Sequence, residues 1–262
     1  MIPKTIAMKK LIYLLILIPF FAIAQDTTTV HPHPMKGKGG MNLIKVNLSS
    51  LVLSNYSFTY ERGITDKMSF SLGFRFMPKG QIPFETQVKN MINDNSVNVD
   101  QFQIGNTAIT PEFRFYLGRG RLHGFYVAPY GRYASFDASV PVNYSYNPGT
   151  GTVNKTALFS GTVTSFSGGV MFGMQYPLSS WLTLDFWLVG AHYGSCNGNL
   201  LATVSPPMST QEQQGFQSAL DGIKADPFTF KGTVTSSTSA TISATGPWVG
   251  IRGLGINLAA RF

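Results

Sequence analysis

The chain has 262 residues, of which only 12% are charged, and a formal net charge of +8. A soluble β-protein normally carries about twice that charged fraction on its surface. The basic residues are scattered along the chain rather than gathered in one segment, so we expect no nucleic-acid partner. Cys196 is the single cysteine, which excludes an intramolecular disulfide.

The first 24 residues have the composition of a secretory signal peptide. Lys9 and Lys10 precede the apolar run 11–21, and residues 22–24 (AIA) form a small-x-small cleavage motif. The apolar run is shorter than the ~20 residues that a membrane-spanning helix needs, and Pro19 interrupts it. We therefore expect residues 1–24 to be a cleaved signal peptide that directs export.

The segment 25–41 is polar, rich in proline and glycine, and has no periodicity. We expect it to be a flexible periplasmic segment. His31 and His33 stand there without a third ligand, so neither a metal site nor a cofactor is predicted. Met1 and Met8 each precede a complete leader, and the sequence leaves the start of translation open.

The segment 56–77, YSFTYERGITDKMSFSLGFRFM, alternates apolar and polar residues on both sides of a Gly/Asp turn. Strict period-two alternation of this kind predicts a β-hairpin. One face is large and apolar, and the other is small, polar or charged. This pattern is typical of a transmembrane β-barrel with lipid outside and a polar lumen inside.

The opening of this region contains an N-x-I-K-x-N segment and a Y-E-R segment. They are formed by Asn42, Ile44, Lys45, Asn47, Tyr60, Glu61 and Arg62. On these residues the chain resembles an uncharacterised family of small bacterial outer-membrane β-barrel proteins with an OmpA/OmpW-like eight-stranded barrel. The resemblance implies architecture and location, and it implies no chemistry because that family has no established activity.

Alternation predicts eight strands in all, an even number as bacterial single-chain barrels have. Their predicted ranges are 42–51, 56–62, 68–78, 107–117, 125–135, 163–176, 182–194 and 248–262. The connections after the third, fifth and seventh strands are long, and they cover 79–106, 136–162 and 195–246. The predicted fold is all-β: an eight-stranded antiparallel up-and-down transmembrane β-barrel over 42–262, with short helices in extracellular loops.

Two of the long loops contain helical patterns. Ser209 and Glu212 form a capping box that predicts a helix over 210–224. An apolar stripe follows at helical spacing, formed by Phe216, Leu220 and Ile223. The loop 79–106 carries a second stripe, formed by Phe84, Val88 and Met91. Because both loops leave the same rim, we expect the two stripes to pack together across the barrel mouth.

Ionisable residues on the predicted inward faces are the main candidates for a site. They are Lys45, Glu61, Arg75, Glu112, Arg114, Arg132, Asp185 and Arg261. Charges in a narrow barrel persist only when they are paired or hydrated, and side chains fill an eight-stranded lumen. We predict a charge network that plugs the lumen, and an ion path or gate is the alternative.

The sequence favours a binding or structural function in the outer membrane. The long loops are expected to meet a surface ligand or partner protein, since recognition normally resides in loops on a rigid scaffold. Outer-membrane lipid and the barrel-assembly machinery are the other expected partners, and Phe262 is the predicted terminal assembly signal. A small pore for small solutes is the alternative function.

Two further classes are less favoured by the residues. A lipid-modifying enzyme needs a nucleophile beside a base, but His192 and Ser195 are three residues apart on a strand and would point to opposite faces. We therefore expect no enzymatic activity. A soluble lipocalin-like barrel would have to hold the aromatic residues of all eight strands inside, and they would overfill it.

Overall fold

The protein is described here by a computed structural model that covers residues 40–81, 101–118, 120–146, 151, 153–222 and 226–262. The predicted signal peptide, most of the segment 25–41 and the stripe of Phe84, Val88 and Met91 lie outside these residues. The strands are β1 (Asn42–Asn47), β2 (Tyr56–Gly63), β3 (Met68–Gln81), β4 (Gln103–Tyr116), β5 (Gly124–Tyr146), β6 (Val153–Pro177), β7 (Leu182–Val204), β8 (Thr229–Ser236) and β9 (Ser239–Arg261). The described helices are α1 (Leu48–Leu51) and α2 (Thr210–Asp221).

The antiparallel strands close into a ring. Consecutive strands from β1 to β7 pair with one another, β7 pairs with β9, and β9 pairs with β1. Eight of the described strands therefore form the ring, and β8 lies outside it because, among these strands, it pairs with β9 alone. The predicted all-β, antiparallel, up-and-down architecture is confirmed.

The first hairpin is shorter than predicted. We expected the first strand to continue to residue 51, but β1 ends at Asn47. The Asn47 side chain accepts a hydrogen bond of 2.8 Å from the backbone N–H of Ser50 and so caps α1. This local cap competes with the strand ladder, and alternation alone does not reveal it.

Two segments that we predicted to be loops lie largely in strands, so these two predictions were wrong. Residues 136–162 mostly continue β5 and β6, which pair up to Tyr146 and Val153. Residues 195–246 contain the end of β7, α2, β8 and the first part of β9, and β7 pairs with β9 up to Thr203 and Ser239. Serine, asparagine and glycine favour turns locally, yet here a long-range ladder holds them in strands.

The fold therefore has two parts. We call the closed eight-stranded part the ring. We call the part beyond it the extension, which comprises residues 135–146, 153–165, 195–204, 210–222 and 229–247. The extension is an incomplete wall, because β1 and β2 end far below it.

Helix α2 begins where the capping box predicts. Ser209 accepts a 3.2 Å hydrogen bond from the N–H of Glu212, and the described helix ends before Gly222. Phe216 and Leu220 are buried, whereas Ile223 lies outside the described residues. No helix in the described ranges is long and apolar enough to cross a membrane.

Candidate functional site

The ring presents opposite chemistry on its two faces. Burial alternates residue by residue along β2 and β4. Exposed outward positions are large and apolar, among them Phe58, Phe74, Phe113, Phe125 and Phe172. The buried inward positions carry charges, hydroxyls and tyrosines. The inward face is therefore the candidate site.

Arg114 on β4 is the centre of a buried charge network. Its guanidinium lies 2.7 Å from Asp185, 2.8 Å from Glu112 and 3.2 Å from Glu61. Lys45 on β1 bridges two of these carboxylates, with its Nζ 2.5 Å from both Glu61 and Asp185. Four strands thus contribute to one network: β1, β2, β4 and β7.

Arg252 on β9 completes the charge balance. Its Nη1 lies 2.5 Å from Oε1 of Glu112, the oxygen that Arg114 does not use. The network then holds three cations and three carboxylates: Lys45, Arg114, Arg252, Glu61, Glu112 and Asp185. Buried charges persist when each has partners, which is the case here.

Neutral side chains satisfy the remaining oxygens. The Tyr116 hydroxyl donates to Glu61 at 2.6 Å, and the Tyr126 hydroxyl donates to Asp185 at 2.8 Å. Ser69 also donates to Glu61, and Gln175 accepts from Lys45 at 2.6 Å. The rings of Tyr116 and Tyr126 fill the lumen between the charges, with centroids 5.5 Å apart.

Leu122 closes the lumen at the end of the ring where the short turns lie. It is 1% exposed, has a positive φ of 51° and belongs to the same buried cluster as Leu43. Its carbonyl accepts a 2.9 Å hydrogen bond from Nε2 of Gln175. We call the charge network together with Leu122 and Leu43 the plug.

Three of the eight predicted network residues do not join it. Arg261 instead donates to the backbone carbonyls of Gly40, at 2.9 Å, and Arg121, at 3.3 Å. Arg75 and Arg132 face the lumen at a higher level, and within the described ranges neither forms an ion pair. Alternation gives the face of a residue but not its height in the tilted ring, so these three predictions were wrong.

Arg252 was missed because a bulge reverses the alternation. The register between β6 and β7 shifts between Phe172 and Gly173, which leaves Leu188 as the extra residue, and Leu188 and Val189 are both exposed. Gly253 and Leu254 on the neighbouring strand β9 likewise face outward together. Leu254 has a positive φ of 45°. Counting back from the C-terminal residues therefore assigns Arg252 to the wrong face, and the Gly-Leu-Gly sequence is only a weak signal of a bulge.

The same bulge turns His192 inward. Its Nδ1 lies 3.2 Å from the hydroxyl of Tyr130. Glycine at the opposite position leaves room for the ring, since a Cβ on Gly250 would lie 2.5 Å from the imidazole and would force it to shift. Ser195 faces outward, as the spacing predicts. Among the described residues no group of three or more potential metal ligands comes together.

The interior of the extension is apolar instead of charged. A buried cluster joins α2 to the strands and comprises Ala157, Ala202, Val204, Met208, Phe216, Leu220, Ala240 and Ile242. The Phe216 ring packs on Tyr144 with centroids 5.3 Å apart. We expected α2 to pack on the stripe in 79–106, which lies outside the described residues. Its described partners are Tyr144 and the inner face of β8.

One ion pair fixes α2 to the extension. The Glu212 carboxylate accepts from Lys155 and from the Tyr144 hydroxyl, each at 2.7 Å. Burial raises the pKa of Glu212, but the hydrogen bonds from Lys155 and Tyr144 and the charge of Lys155 outweigh it, so the pKa lies below the ordinary value. Helix α2 is thus held to the extension by these polar contacts as well as by its apolar stripe.

The outer face of the extension is polar. An open groove of about 600 Å³ crosses it. Its outward-facing lining includes Thr162, Thr164, Asn197, Asn199, Lys231 and Ser243. Hydroxyl and amide groups of this kind suit hydrogen bonding to a polar partner in water.

Comparison with known proteins identifies a family of unknown function. A family model described as "Protein of unknown function (DUF3575)" matches residues 21–199. No curated protein and no solved structure matches the chain. The match agrees with the predicted membership of an uncharacterised family, while the relation to OmpA/OmpW-like barrels stays a prediction.

Proposed function

The chain belongs to the DUF3575 family of proteins of unknown function, and we propose that it is a plugged outer-membrane β-barrel. Its ring spans the membrane, and its extension stands outside the cell as a binding or structural element. The observation that carries the proposal is the reversal of outward chemistry along single strands. On β6, Phe166 is 68% exposed, while Thr162 and Thr164 take the same face above it.

The height of the apolar belt supports the same proposal. On β6 it runs from Phe166 to Tyr176, and on β7 from Tyr193 down to Leu182. A tilted strand crosses the hydrocarbon core with about 9–11 residues. The β6 segment has 11 residues, and the β7 segment has 12, of which Leu188 is the extra residue of the bulge. Closed pairing in the ring satisfies the backbone groups that lipid cannot, as a spanning sheet requires.

Orientation follows from the two ends of the ring. Short turns normally lie on the periplasmic side, and long connections lie outside. The turns 64–67, 117–123 and 178–181 are short, whereas the extension rises from the opposite rim. The predicted signal peptide 1–24 provides export to this location.

Cysteine labelling in intact cells tests both location and orientation. Cys196 is buried in the extension, so it is first replaced by serine. Thr241→Cys on the outward face of the extension should react with a membrane-impermeant maleimide. Ser180→Cys, in a short turn, is the matched control and should react only after the outer membrane is opened. The opposite pattern would overturn the orientation, and recovery of the protein without detergent would overturn membrane location.

The plug predicts that the native barrel conducts almost nothing. Planar-bilayer recording of the purified full chain should show no steady channel. A large and stable conductance would overturn the plugged lumen and favour the alternative, a small pore.

Phe262 is proposed as a signal for the barrel-assembly machinery. It is 56% exposed, and its N–H and C=O each bond Asn42 at 3.0 Å, so its side chain is free while its backbone closes the ring. Phe262→Ala should lower the amount in the outer membrane severalfold while leaving unfolding of the detergent-purified barrel nearly unchanged. Equal amounts of variant and wild type in the outer membrane would show that Phe262 is not an assembly signal.

A further inference from the structure

Above the plug, the lumen holds positive charge that no described acid balances. Arg75 on β3 and Arg132 on β5 make no ion pair or hydrogen bond within the described ranges. Glu112 is the acid whose charge reaches Arg132, but Arg114 and Arg252 occupy its two oxygens. The plug is neutral, so within the described part of the chain no acid balances Arg75 and Arg132.

The charges of Arg75 and Arg132 lie near another positive group, the guanidinium of Arg252. Arg75 pairs with Ala108 across the ladder and Ala108 with Ala134, two residues beyond Arg132 on β5. Arg252 lies over the ring of Tyr130, two residues before Arg132 on the same strand. Arg252 is held flat between aromatic rings, 4.0 Å from the centroid of Trp187 and 5.2 Å from that of Tyr130. We call Arg75 and Arg132, together with Arg252 at the upper border of the plug, the cation layer; Arg252 itself is paired with Glu112.

One donor in the cation layer is free to bind a ligand. Nε of Arg252 is buried and has no hydrogen-bond partner. A buried donor without a partner costs about 1–3 kcal/mol, and more when it is charged. Guanidinium groups bind phosphate and carboxylate with paired N–H donors, so an anion is the ligand that would satisfy the layer.

Among the described strands none completes the wall beside the cation layer, and α1 packs against β9 only at its lower end. The ladder between β9 and β1 ends at Asn257 and Asn47, and β8 joins the same edge of β9 only from Thr245 upward. No described strand pairs with 247–256 on that side. Pro247 suits such an edge because it lacks an N–H, and Ile256 donates to the Ser49 side chain at 3.3 Å instead of to a strand. We call this opening the gap.

The border of the gap is apolar on the outside. Val249 and Ile251 face outward on β9 and are more than half exposed. The end of the first hairpin adds exposed apolar side chains beneath the gap: Leu48, Leu51, Val52 and Leu53. If the ring spans a membrane, these residues meet hydrocarbon, and the gap connects the lipid phase to the cation layer.

We propose that the ring binds a single-chain anionic amphiphile, with its phosphate or carboxylate on the cation layer and its alkyl chain passing out through the gap. The proposal rests on the proposed membrane location, because only there does the border of the gap face acyl chains. The headgroup neutralises the charge of the cation layer, and the chain leaves beside the exposed apolar side chains that border the gap.

Calorimetric titration of the full chain in phosphatidylcholine nanodiscs tests the site, with decyl phosphate as the probe and empty nanodiscs as the background. Arg75→Gln with Arg132→Gln should weaken binding by at least about tenfold, since two charge-assisted contacts are lost. Lys67→Gln with Lys231→Gln removes the same charge from exposed sites and should change affinity less than about twofold. Equal weakening by both pairs would overturn the site.

Inorganic phosphate and hexyl phosphate separate the two sources of an anion. Affinity rising from phosphate through hexyl to decyl phosphate supports passage of the chain through the gap. Equal affinity for all three would overturn the amphiphile and leave a site for free anions. The variants remove unpaired charges, and heat-dependent gel mobility verifies that their rings are closed. If the protein inserts into nanodiscs but binds none of the probes, only the proposed site is refuted. If the protein stays in solution without lipid or detergent, the membrane proposal is refuted.

Discussion

The ring and the extension are built from the same strands but have reversed interiors. In the ring, β6 turns Ser167 and Gln175 inward and Phe172 outward. In the extension, the same strand turns Ala157 inward and Thr162 outward. Side chains alternate between the two faces in both parts, but polar side chains face inward in the ring and outward in the extension. A single long strand can therefore serve two surroundings, provided that its side chains change where the surroundings change.

The two parts are also stabilised differently. In the proposed orientation the surface of the extension meets water, so apolar burial drives its packing. A ring in lipid gains little from turning apolar groups inward, since lipid is itself apolar. Its stability comes from the closed backbone ladder and from the complete pairing of the buried charges.

Glu61→Ala should have the largest effect and should act on the ring. It leaves Lys45 with one carboxylate and removes the acceptor of Tyr116 and Ser69. Breaking a buried pair costs about 3–5 kcal/mol, so urea unfolding of the detergent-purified barrel should shift by that amount. Conductance should also emerge as water enters. Unchanged stability together with a silent bilayer would show that the network does not hold the plug.

Leu220→Ala should have a smaller effect, confined to the extension. Leu220 is buried in the apolar cluster and lies against Gly232 of β8. Truncation of a buried leucine costs about 2–5 kcal/mol, and here only local packing is lost. Hydrogen–deuterium exchange should rise in α2 and β8 and stay constant in β2 and β4. Faster exchange in both parts would mean that the ring and the extension unfold as one unit.

Glu212→Gln should destabilise the attachment of α2 by about 1.5–3 kcal/mol, the range for hydrogen bonds to a charged group. The folded-state pKa of Glu212 lies below its ordinary value of 4.5. Its contribution is therefore fully present above about pH 4.5 and disappears as the pH falls through the lowered pKa. Exchange in α2 should rise in acid for the wild type and change less for the variant. An equal acid response in both would assign the pH dependence to other groups.

Arg121→Ala should have the smallest effect. Arg121 pairs with Asp66 between two short turns, and both side chains are more than half exposed. Exposed pairs contribute about 0–1 kcal/mol because water and salt screen them. Its unfolding midpoint in urea should match the wild type, which makes it the control for Glu61→Ala. A shift as large as that of Glu61→Ala would contradict the distinction between buried and exposed pairs.

Strand identity in the ring could be read from the sequence because it depends on local alternation. The hairpin of β2 and β3 and the inward positions of Lys45, Glu61, Glu112, Arg114 and Asp185 follow from period two alone. The capping box likewise gave the start of α2, since Ser209 and Glu212 act within one turn. These features need no knowledge of distant residues.

Only the tertiary structure decided which inward charges meet. Arg114 and Asp185 are 71 residues apart in sequence, and the tilt and stagger of the ring bring them to the same level. The bulge at Leu188 and Leu254 reversed the face of Arg252, and long-range pairing converted polar segments into the extension. Alternation specifies a face, but the height on that face is set by the register between strands, which no local pattern contains.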